Sequence, residues 1–210
     1  MEIKKRAKLI VDALENEYPD AKCSLTYEKP YELLIATRLS AQCTDARVNL
    51  VTPALFNKYQ SIEDFANAEL SDVEDIIKSC GLYKTKAKDI INLSIMLRDK
   101  FNSILPDNME DLTSLPGIGR KTANLVLGDV FGKEAVVVDT HCIRITNLLG
   151  LSKGQNQLSV EKQLREVLPM DRASDFCHRL VIHGRAVCVA RKPKCEACCL
   201  NKLCDFYNQK

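Results

Sequence analysis

The chain has 210 residues, of which 46% are hydrophobic and 28% charged, with 8 Gly and 7 Pro. This composition suits a globular chain with a sizeable core and excludes collagen-like, low-complexity and disordered proteins. The longest apolar runs, such as 135–138, are far below the roughly 18 residues that a membrane span requires. The first 18 residues form an amphipathic pattern with acidic groups and no apolar signal core, so a cytoplasmic location is expected.

The net charge of +2 conceals an asymmetry along the chain. Residues 1–119 carry 15 Lys and Arg against 19 Asp and Glu, whereas residues 120–210 carry 15 against 9. The C-terminal half therefore predicts a basic face suited to a polyanion such as nucleic acid, although a merely solvated surface explains the numbers equally well.

Helical periodicity dominates the first half of the chain. Ser71–Glu74 is a capping-box pattern, and the helix that follows it is expected to end at Gly81. A long helix is expected from about Lys84, and Asn108 or Asp107 is expected to cap a short helix that reaches Leu115.

The second half continues the helical pattern. Asp139 is placed to cap a helix that ends before Gly150, and apolar spacing predicts further helices over 159–168 and 173–184. Only 134–139 (EAVVVD) looks like a strand, and it has no partner nearby, so we expect an extended connector. The predicted fold class is all-α.

Four cysteines near the C-terminus have the spacing C-x6-C-x2-C-x5-C. They are Cys188, Cys195, Cys198 and Cys204. Structural zinc usually takes two short pairs of ligands, whereas a single C-x2-C flanked by nearby cysteines favours an iron–sulfur cluster, with zinc second and disulfides third. Cys199 adjoins a proposed ligand and is expected only to compete with it.

The loop between the first two of these cysteines is basic. It contains Arg191, Lys192 and Lys194 and is a candidate contact for phosphate. The alternative, a loop that balances the negative charge of a thiolate site, is left open.

A Gly-x-Gly turn, Gly117 to Gly119, precedes an apolar helix whose first turn contains Arg120 and Lys121. Such a turn exposes backbone N–H groups at a helix N-terminus, where a phosphate binds favourably. Two cations at the positive end of the helix dipole are unfavourable unless an anion approaches, and a DNA backbone is such an anion.

Lys121 is also a candidate nucleophile. Positive potential and partial desolvation at a helix N-terminus would lower the pKa of its amine and favour attack on an aldehyde carbon. Asp139 follows eighteen residues later; on local grounds it is first a helix cap, and it becomes a stabiliser of a cationic sugar only if the fold brings it opposite Lys121.

Together these segments resemble endonuclease III, a family of helix-hairpin-helix DNA glycosylases with AP-lyase activity. The motifs are LPGIGRKTAN, VDTH eighteen residues beyond its lysine, and the terminal cysteine spacing; LSAQCTD at 39–45 and GLYKTKA at 81–87 extend the likeness over nearly the whole chain.

The resemblance implies an all-α fold of two helical domains with the DNA cleft between them. A six-helix domain would span 23–133, with its helix-hairpin-helix motif at about 108–132. Residues 1–22 and 134–210 would form a discontinuous domain in which the four cysteines hold a [4Fe-4S] cluster.

The resemblance also implies roles for single residues. Lys121 would be the nucleophile, with Asp139 assisting it. Gln42 would fill the gap left by a flipped nucleotide, Leu82 would wedge into the opposite strand, and His141 would lie near the lesion. Without the resemblance, the sequence would predict that Gln42 is an exposed helix residue, Leu82 a core leucine and His141 a polar residue in the first turn of a helix.

The expected activity is that of a monomeric bifunctional glycosylase acting on double-stranded DNA with a damaged pyrimidine or an abasic site, at the nucleoid. It would remove oxidised pyrimidines such as thymine glycol and nick the strand by β-elimination through a lysine Schiff base. A pyrimidine-dimer glycosylase remains an open alternative. A mismatch-adenine glycosylase is disfavoured by Lys121 and by the expected lack of an extra C-terminal domain, and a non-catalytic iron–sulfur carrier or sensor does not explain Lys121 with Asp139.

Overall fold

Helices and connecting loops account for residues 1–209, the part of the chain that the computed structural model describes, and no strand occurs there. The all-α expectation is confirmed. The α-helices in chain order are α1 Ile3–Glu17, α2 Pro30–Ser40, α3 Asp45–Lys58, α4 Ile62–Ala66, α5 Leu70–Ile77, α6 Tyr83–Phe101, α7 Met109–Ser114, α8 Arg120–Asp129, α9 Thr140–Leu148, α10 Gln157–Val167, α11 Ala173–Ala186 and α12 Asp205–Asn208.

The chain divides into two compact units. Ser24–Phe131 forms one, and Met1–Cys23 together with the residues from Gly132 onward forms the other. The first unit contains seven α-helices; the five-residue α4 accounts for the one beyond the expected six. The functional assignments given to the two units stay predictions.

The unit Ser24–Phe131 is built around α6, which packs against α4, α5 and α2. Its apolar side recurs at helical spacing, with Ile90, Leu93 and Leu97 fully buried. Phe65 of α4 is also fully buried and contacts the rings of Tyr31 and Tyr59 edge-on or tilted. Helix α8 packs on α7 and α2. The core therefore holds the ends of α2, α6 and α8 in fixed positions.

In the other unit, α1 packs against α11, and α11 against α9. Arg172 donates to both Asp12 and Glu15 at 2.8 Å, and the hydrogen bond from Arg172 is the main cause of the lowered pKa of Asp12. Arg6 pairs with Asp205, which joins the first helix to the last. These ion pairs bring the two ends of the chain into one unit.

Most predicted helix boundaries are confirmed. Asn108 caps α7 and Asp139 caps α9 through their side chains, and Gly81, with a φ of 68°, follows the helical segment that ends at Cys80. The predicted capping box at 71–74 is wrong, because α5 begins at Leu70 after Glu69 and has no side-chain cap. The 134–139 segment is extended and unpaired, with residues 135–138 buried, as expected.

Within residues 1–209, none of the helices combines the length and apolar character that a membrane crossing needs.

Candidate functional site

Four residues other than glycine in the unit Ser24–Phe131 lie on backbone that L-residues rarely adopt: Asn102 and Ser103 after the end of α6, and Gln42 and Leu82. Gln42 follows the end of α2 with a φ of 54°, and Leu82 precedes α6 with a φ of 47°. Leu82 is 57% exposed, so it is not a core leucine, and Gln42 lies outside α2, so it is not a helix residue. Left-handed backbone at such residues costs about 1–3 kcal/mol each and is concentrated in functional sites.

A buried lysine lies between these two segments. Lys86 in the first turn of α6 is fully buried, and its Nζ donates to the carbonyl oxygens of Leu39 and Cys80, each at 2.8 Å. Burial lowers the pKa of Lys86. Sequence analysis missed this residue, although its spacing from Ile90 and Leu93 places it on the buried stripe of α6.

The Gly-x-Gly turn rests on an ion pair between α2 and α6. Arg38 donates to Asp89 Oδ2 from Nε at 2.7 Å, and its Nη2 lies 2.6 Å from the same oxygen. Gly117 has a φ of 74°, and a Cβ at this position would lie 2.6 Å from Arg38 Nε and 2.8 Å from Asp89 Oδ2. Only glycine therefore fits at 117 without displacing the ion pair.

Gly119 differs from Gly117, because it has ordinary backbone and a Cβ there would meet open space. It is the N-cap of α8 and provides no side-chain cap, so the first N–H groups of α8 have no partner from that residue. Arg120 and Lys121 are the first two residues of α8. Lys121 is half-buried, and among residues 1–209 its Nζ forms no hydrogen bond or ion pair. The start of α8 thus presents N–H groups and a free amine together.

Asp139 and His141 belong to the other unit, at the start of α9. Asp139 Oδ1 accepts a hydrogen bond from the backbone N–H of Cys142 at 2.7 Å, so the side chain is a helix cap as predicted. His141, a first-turn residue, packs its ring against Gly184 of α11, where a Cβ would lie 2.5 Å from His141 Nδ1. His141 Nδ1 is buried and has no hydrogen-bond partner within residues 1–209.

The four C-terminal cysteines line one pocket in this unit. Apolar side chains of Ile145, Leu149 and Leu200 also line it, so the thiols face a largely apolar space. Among residues 1–209, no three His, Cys, Asp or Glu side chains are arranged to hold a single metal ion. Four thiols that line the same pocket are candidate ligands of a metal centre.

Several groups outside the predicted ligands contact these sulfur atoms. Arg144 Nη1 donates to Cys188 Sγ at 3.5 Å, and the backbone N–H of Leu200 donates to Cys198 Sγ at 3.4 Å. His183, which is buried, has Nε2 3.4 Å from Cys198 Sγ and Nδ1 3.0 Å from the hydroxyl of Tyr18.

Cys199 is exposed and hydrogen-bonds to Cys198, and this contact is the main cause that lowers the pKa of Cys198 to about 4. Sequence analysis missed the contact of His183 with Cys198, because α11 alone does not indicate what its buried face meets.

The basic loop lies at the surface beside the cysteine pocket, which Lys194 helps to line. Arg191, Lys192 and Lys194 are all exposed, and none of them forms an ion pair with residues 1–209. A loop that served to balance the thiolates would direct its cations at the sulfur atoms, and the cation that does so is Arg144 of α9. The loop is thus available to an external anion.

Comparison with known proteins gives a consistent result. Residues 35–170 match the model of the HhH-GPD superfamily base excision DNA repair protein. Endonuclease III of Synechocystis sp. is 45% identical over 202 residues, covering 96% of this chain and 92% of that protein. Endonuclease III of Bacillus subtilis is 42% identical over 201 residues, covering 95% and 92%.

A solved structure is similar over the whole chain. The structure of a trapped endonuclease III–DNA covalent intermediate, an estranged-adenine complex, matches with a TM-score of 0.91 and 42% identity, covering 100% of this chain and 99% of that one.

The two glycines of the turn predict opposite effects of substitution on stability. Gly117→Ala should lower the free energy of unfolding by about 2–4 kcal/mol, because it adds backbone strain and displaces the Arg38–Asp89 pair. Gly119→Ser should leave it unchanged or raise it slightly, because serine is a favoured N-cap on this backbone. Urea denaturation of both variants tests this; equal losses would contradict the described packing of the turn.

Proposed function

Because the chain belongs to the HhH-GPD superfamily of base excision DNA repair proteins, we propose that Lys121 gives it a Schiff-base mechanism directed at oxidised pyrimidines. Its kinship with endonuclease III makes it a DNA glycosylase and AP lyase. The proposal is that the enzyme removes bases such as thymine glycol from double-stranded DNA and then cuts the strand by β-elimination.

One observation carries the mechanism. The amine of Lys121 lies at the start of α8, held in place by the core yet bound to no other side chain of residues 1–209. Lysines on a protein surface are often free, but this one shares its helix N-terminus with N–H groups that a phosphate can use. A relative with 42% identity is known as a trapped covalent intermediate with DNA, which supports the same chemistry here.

The reaction can be written with all atoms accounted for. The Lys121 amine attacks C1′ of the damaged nucleotide, the bond from C1′ to the base breaks, and the base leaves with a proton. The nitrogen then forms a double bond to C1′ as the bond from C1′ to the ring oxygen O4′ breaks, and O4′ takes a proton from water. The protonated imine makes the C2′ proton acidic. Removal of that proton breaks the bond between C3′ and its oxygen and releases the downstream 5′-phosphate. Water then hydrolyses the imine and regenerates Lys121.

We assign Asp139 to the charge that develops on the sugar. Its carboxylate would stabilise the cationic sugar as the base leaves. The same side chain caps α9 through the N–H of Cys142, and this hydrogen bond fixes the position of the carboxylate. Capping and catalysis are therefore compatible roles of one group.

The remaining residues would hold the DNA. Backbone N–H groups of the turn at Gly117 and Gly119, with the side chain of Arg120, would bind phosphate at the start of α8. The loop cations Arg191, Lys192 and Lys194 would bind phosphates elsewhere on the duplex.

Gln42 and Leu82 are exposed and strained; Gln42 would fill the gap left by a flipped nucleotide and Leu82 would wedge into the opposite strand, while His141 would lie near the lesion. An oxidised, saturated pyrimidine stacks poorly and is therefore the least costly to flip, which supports this class of substrate. Chromosomal DNA would be encountered at the nucleoid, by a monomer.

The cysteine pocket fits a [4Fe-4S] cluster. Four thiols, a surrounding of apolar side chains, and N–H donors aimed at Cys188 and Cys198 are the environment that such clusters use. Cys188, Cys195, Cys198 and Cys204 would hold the cluster. It would supply a structural cross-link that fixes the basic loop, and none of the steps above uses it.

Strand cleavage tests the mechanism. On duplex DNA with an abasic site, in EDTA, the protein should cut the strand, because β-elimination needs no metal in solution. Lys121→Ala should reduce the rate by about 10²-fold or more, since it removes the attacking amine. Lys100→Ala, which changes an exposed lysine of α6, is the matched control. Cleavage that survives in Lys121→Ala would contradict the proposal.

Two substitutions separate the roles of Asp139. Asp139→Asn keeps an oxygen that caps α9, so the free energy of unfolding should change by less than about 0.5 kcal/mol. Release of thymine glycol should nevertheless fall by about 10²–10⁴-fold, because the charge is lost. Asp139→Ala should lose the cap as well and cost about 1 kcal/mol of stability. Near-normal base release by Asp139→Asn would leave Asp139 with the capping role alone.

The metal content tests the assignment of the pocket. Protein purified without oxygen should be coloured and contain about four iron and four acid-labile sulfide per chain. Cys204→Ser should lower the content of iron and of sulfide. Cys23→Ser, which changes a cysteine far in sequence from these four, should not. Stoichiometric zinc without iron would overturn the cluster assignment.

A further inference from the structure

The left-handed segments at Gln42 and Leu82 are both bound by a single side chain. Lys86 Nζ donates to the carbonyl of Leu39, three residues before Gln42, and to the carbonyl of Cys80, two residues before Leu82. Both bonds are 2.8 Å long, and the lysine is fully buried. The side chains of Cys43 and Cys80 also contact each other beside the same two segments.

The two acceptors are of the same kind. Leu39 lies in the last turn of α2, and Cys80 is the last residue of a short 3-10 helix, so both carbonyls lack the helical N–H partner that an interior carbonyl has. A cation at the C-terminal ends of two helical segments is also favoured by their dipoles. Lys86 therefore satisfies two helix ends at once and fixes the distance between them.

If packing alone mattered, a lysine would be unfavourable at this position. An unpaired cation in a core is strongly unfavourable, whereas a leucine or methionine would fill the stripe of α6 at no such cost. The position requires hydrogen-bond donors because two chain segments leave their helices there in left-handed conformations. Arg38, which supports the Gly-x-Gly turn through Asp89, lies one residue before Leu39. The side chains that support the segments of Gln42, Leu82 and Gly117 therefore all lie where α2 and α6 are in contact.

We propose that Lys86 is a positioning residue for DNA, which holds Gln42 and Leu82 at the separation needed for both to enter the duplex around a flipped nucleotide. The inference rests on the proposed function for the roles of Gln42 and Leu82. Lys86 itself touches neither DNA nor the reacting atoms.

The experiment uses an uncleavable duplex, so that it does not depend on the chemistry of Lys121. A tetrahydrofuran abasic analogue is placed opposite 2-aminopurine, whose fluorescence rises when an inserted side chain unstacks it. Lys86→Met keeps the length of the side chain and removes the donors. It should bind the duplex about tenfold more weakly and lose most of the fluorescence rise, the effect of about one lost charge-assisted hydrogen bond.

Three controls accompany the variant. Lys100→Met changes an exposed lysine of α6 about 21 Å further along the helix and should bind like the parent. An abasic single strand has no opposite base to unstack. The yield of borohydride trapping on it should therefore differ by less than about twofold between Lys86→Met and the parent. The double variant Lys86→Met with Leu82→Ala should lose less binding than the sum of the two single losses, because both changes impair the insertion of Leu82.

The outcomes separate the two proposals. Failure of the parent to trap on single-stranded abasic DNA counts against the lysine mechanism, whatever the binding data give. Unchanged duplex binding and fluorescence in Lys86→Met overturn the positioning role. An equal loss on single-stranded and duplex DNA also overturns the positioning role, because it indicates a general effect on folding. A fully additive double variant overturns it as well, because it indicates that Lys86 does not act through Leu82.

Discussion

The residues proposed to act on DNA lie mainly at the ends of helices, where backbone groups lack helical partners. The chain meets this constraint in three ways. At the ends of α2 and of the 3-10 helix before Gly81, carbonyls accept from the buried Lys86. At the start of α9, Asp139 caps the helix and is thereby oriented. At the start of α8, Gly119 provides no side-chain cap, and the N–H groups of the first turn are proposed to bind a phosphate beside the amine of Lys121.

A second consequence is that the exposed elements of the site depend on buried charge. Arg38 and Lys86 are cations on the adjoining helices α2 and α6. Arg38 donates to Asp89, beside Gly117, and Lys86 donates to two carbonyls close to Gln42 and Leu82. Hydrogen bonds offset the cost of burying Lys86 and of partly burying Arg38, and they support the backbone near Gln42, Leu82 and Gly117. In the other unit, the contacts of Arg144 and His183 with cysteine sulfur atoms have the same character. Pre-organised side chains, rather than loops that close on the ligand, are what the structure offers.

Much of this could be predicted from the sequence, and the exceptions have physical causes. Local signals were sufficient for the caps Asn108 and Asp139, for the long helix α6 and for the four cysteines. The pattern at 71–74 was misleading, because packing of α5 against α6 extends the helix to Leu70 despite the lack of a cap. The left-handed backbone of Gln42 and Leu82 could not be foreseen, since neither is glycine and tertiary contacts impose it. The burial of Lys86 could be predicted from its spacing along the apolar side of α6, but its bond to Leu39, far earlier in the chain, could not.

The central claim is that the amine of Lys121 forms a bond to the sugar of the damaged nucleotide. The most direct test is to reduce the complex of the protein with thymine glycol DNA by borohydride, digest it, and locate the modified residue by mass spectrometry. The account predicts a single sugar adduct on the peptide that contains Lys121, and none in Lys121→Ala. An adduct on another lysine or on the N-terminal amine, or no adduct while the base is released, would contradict it.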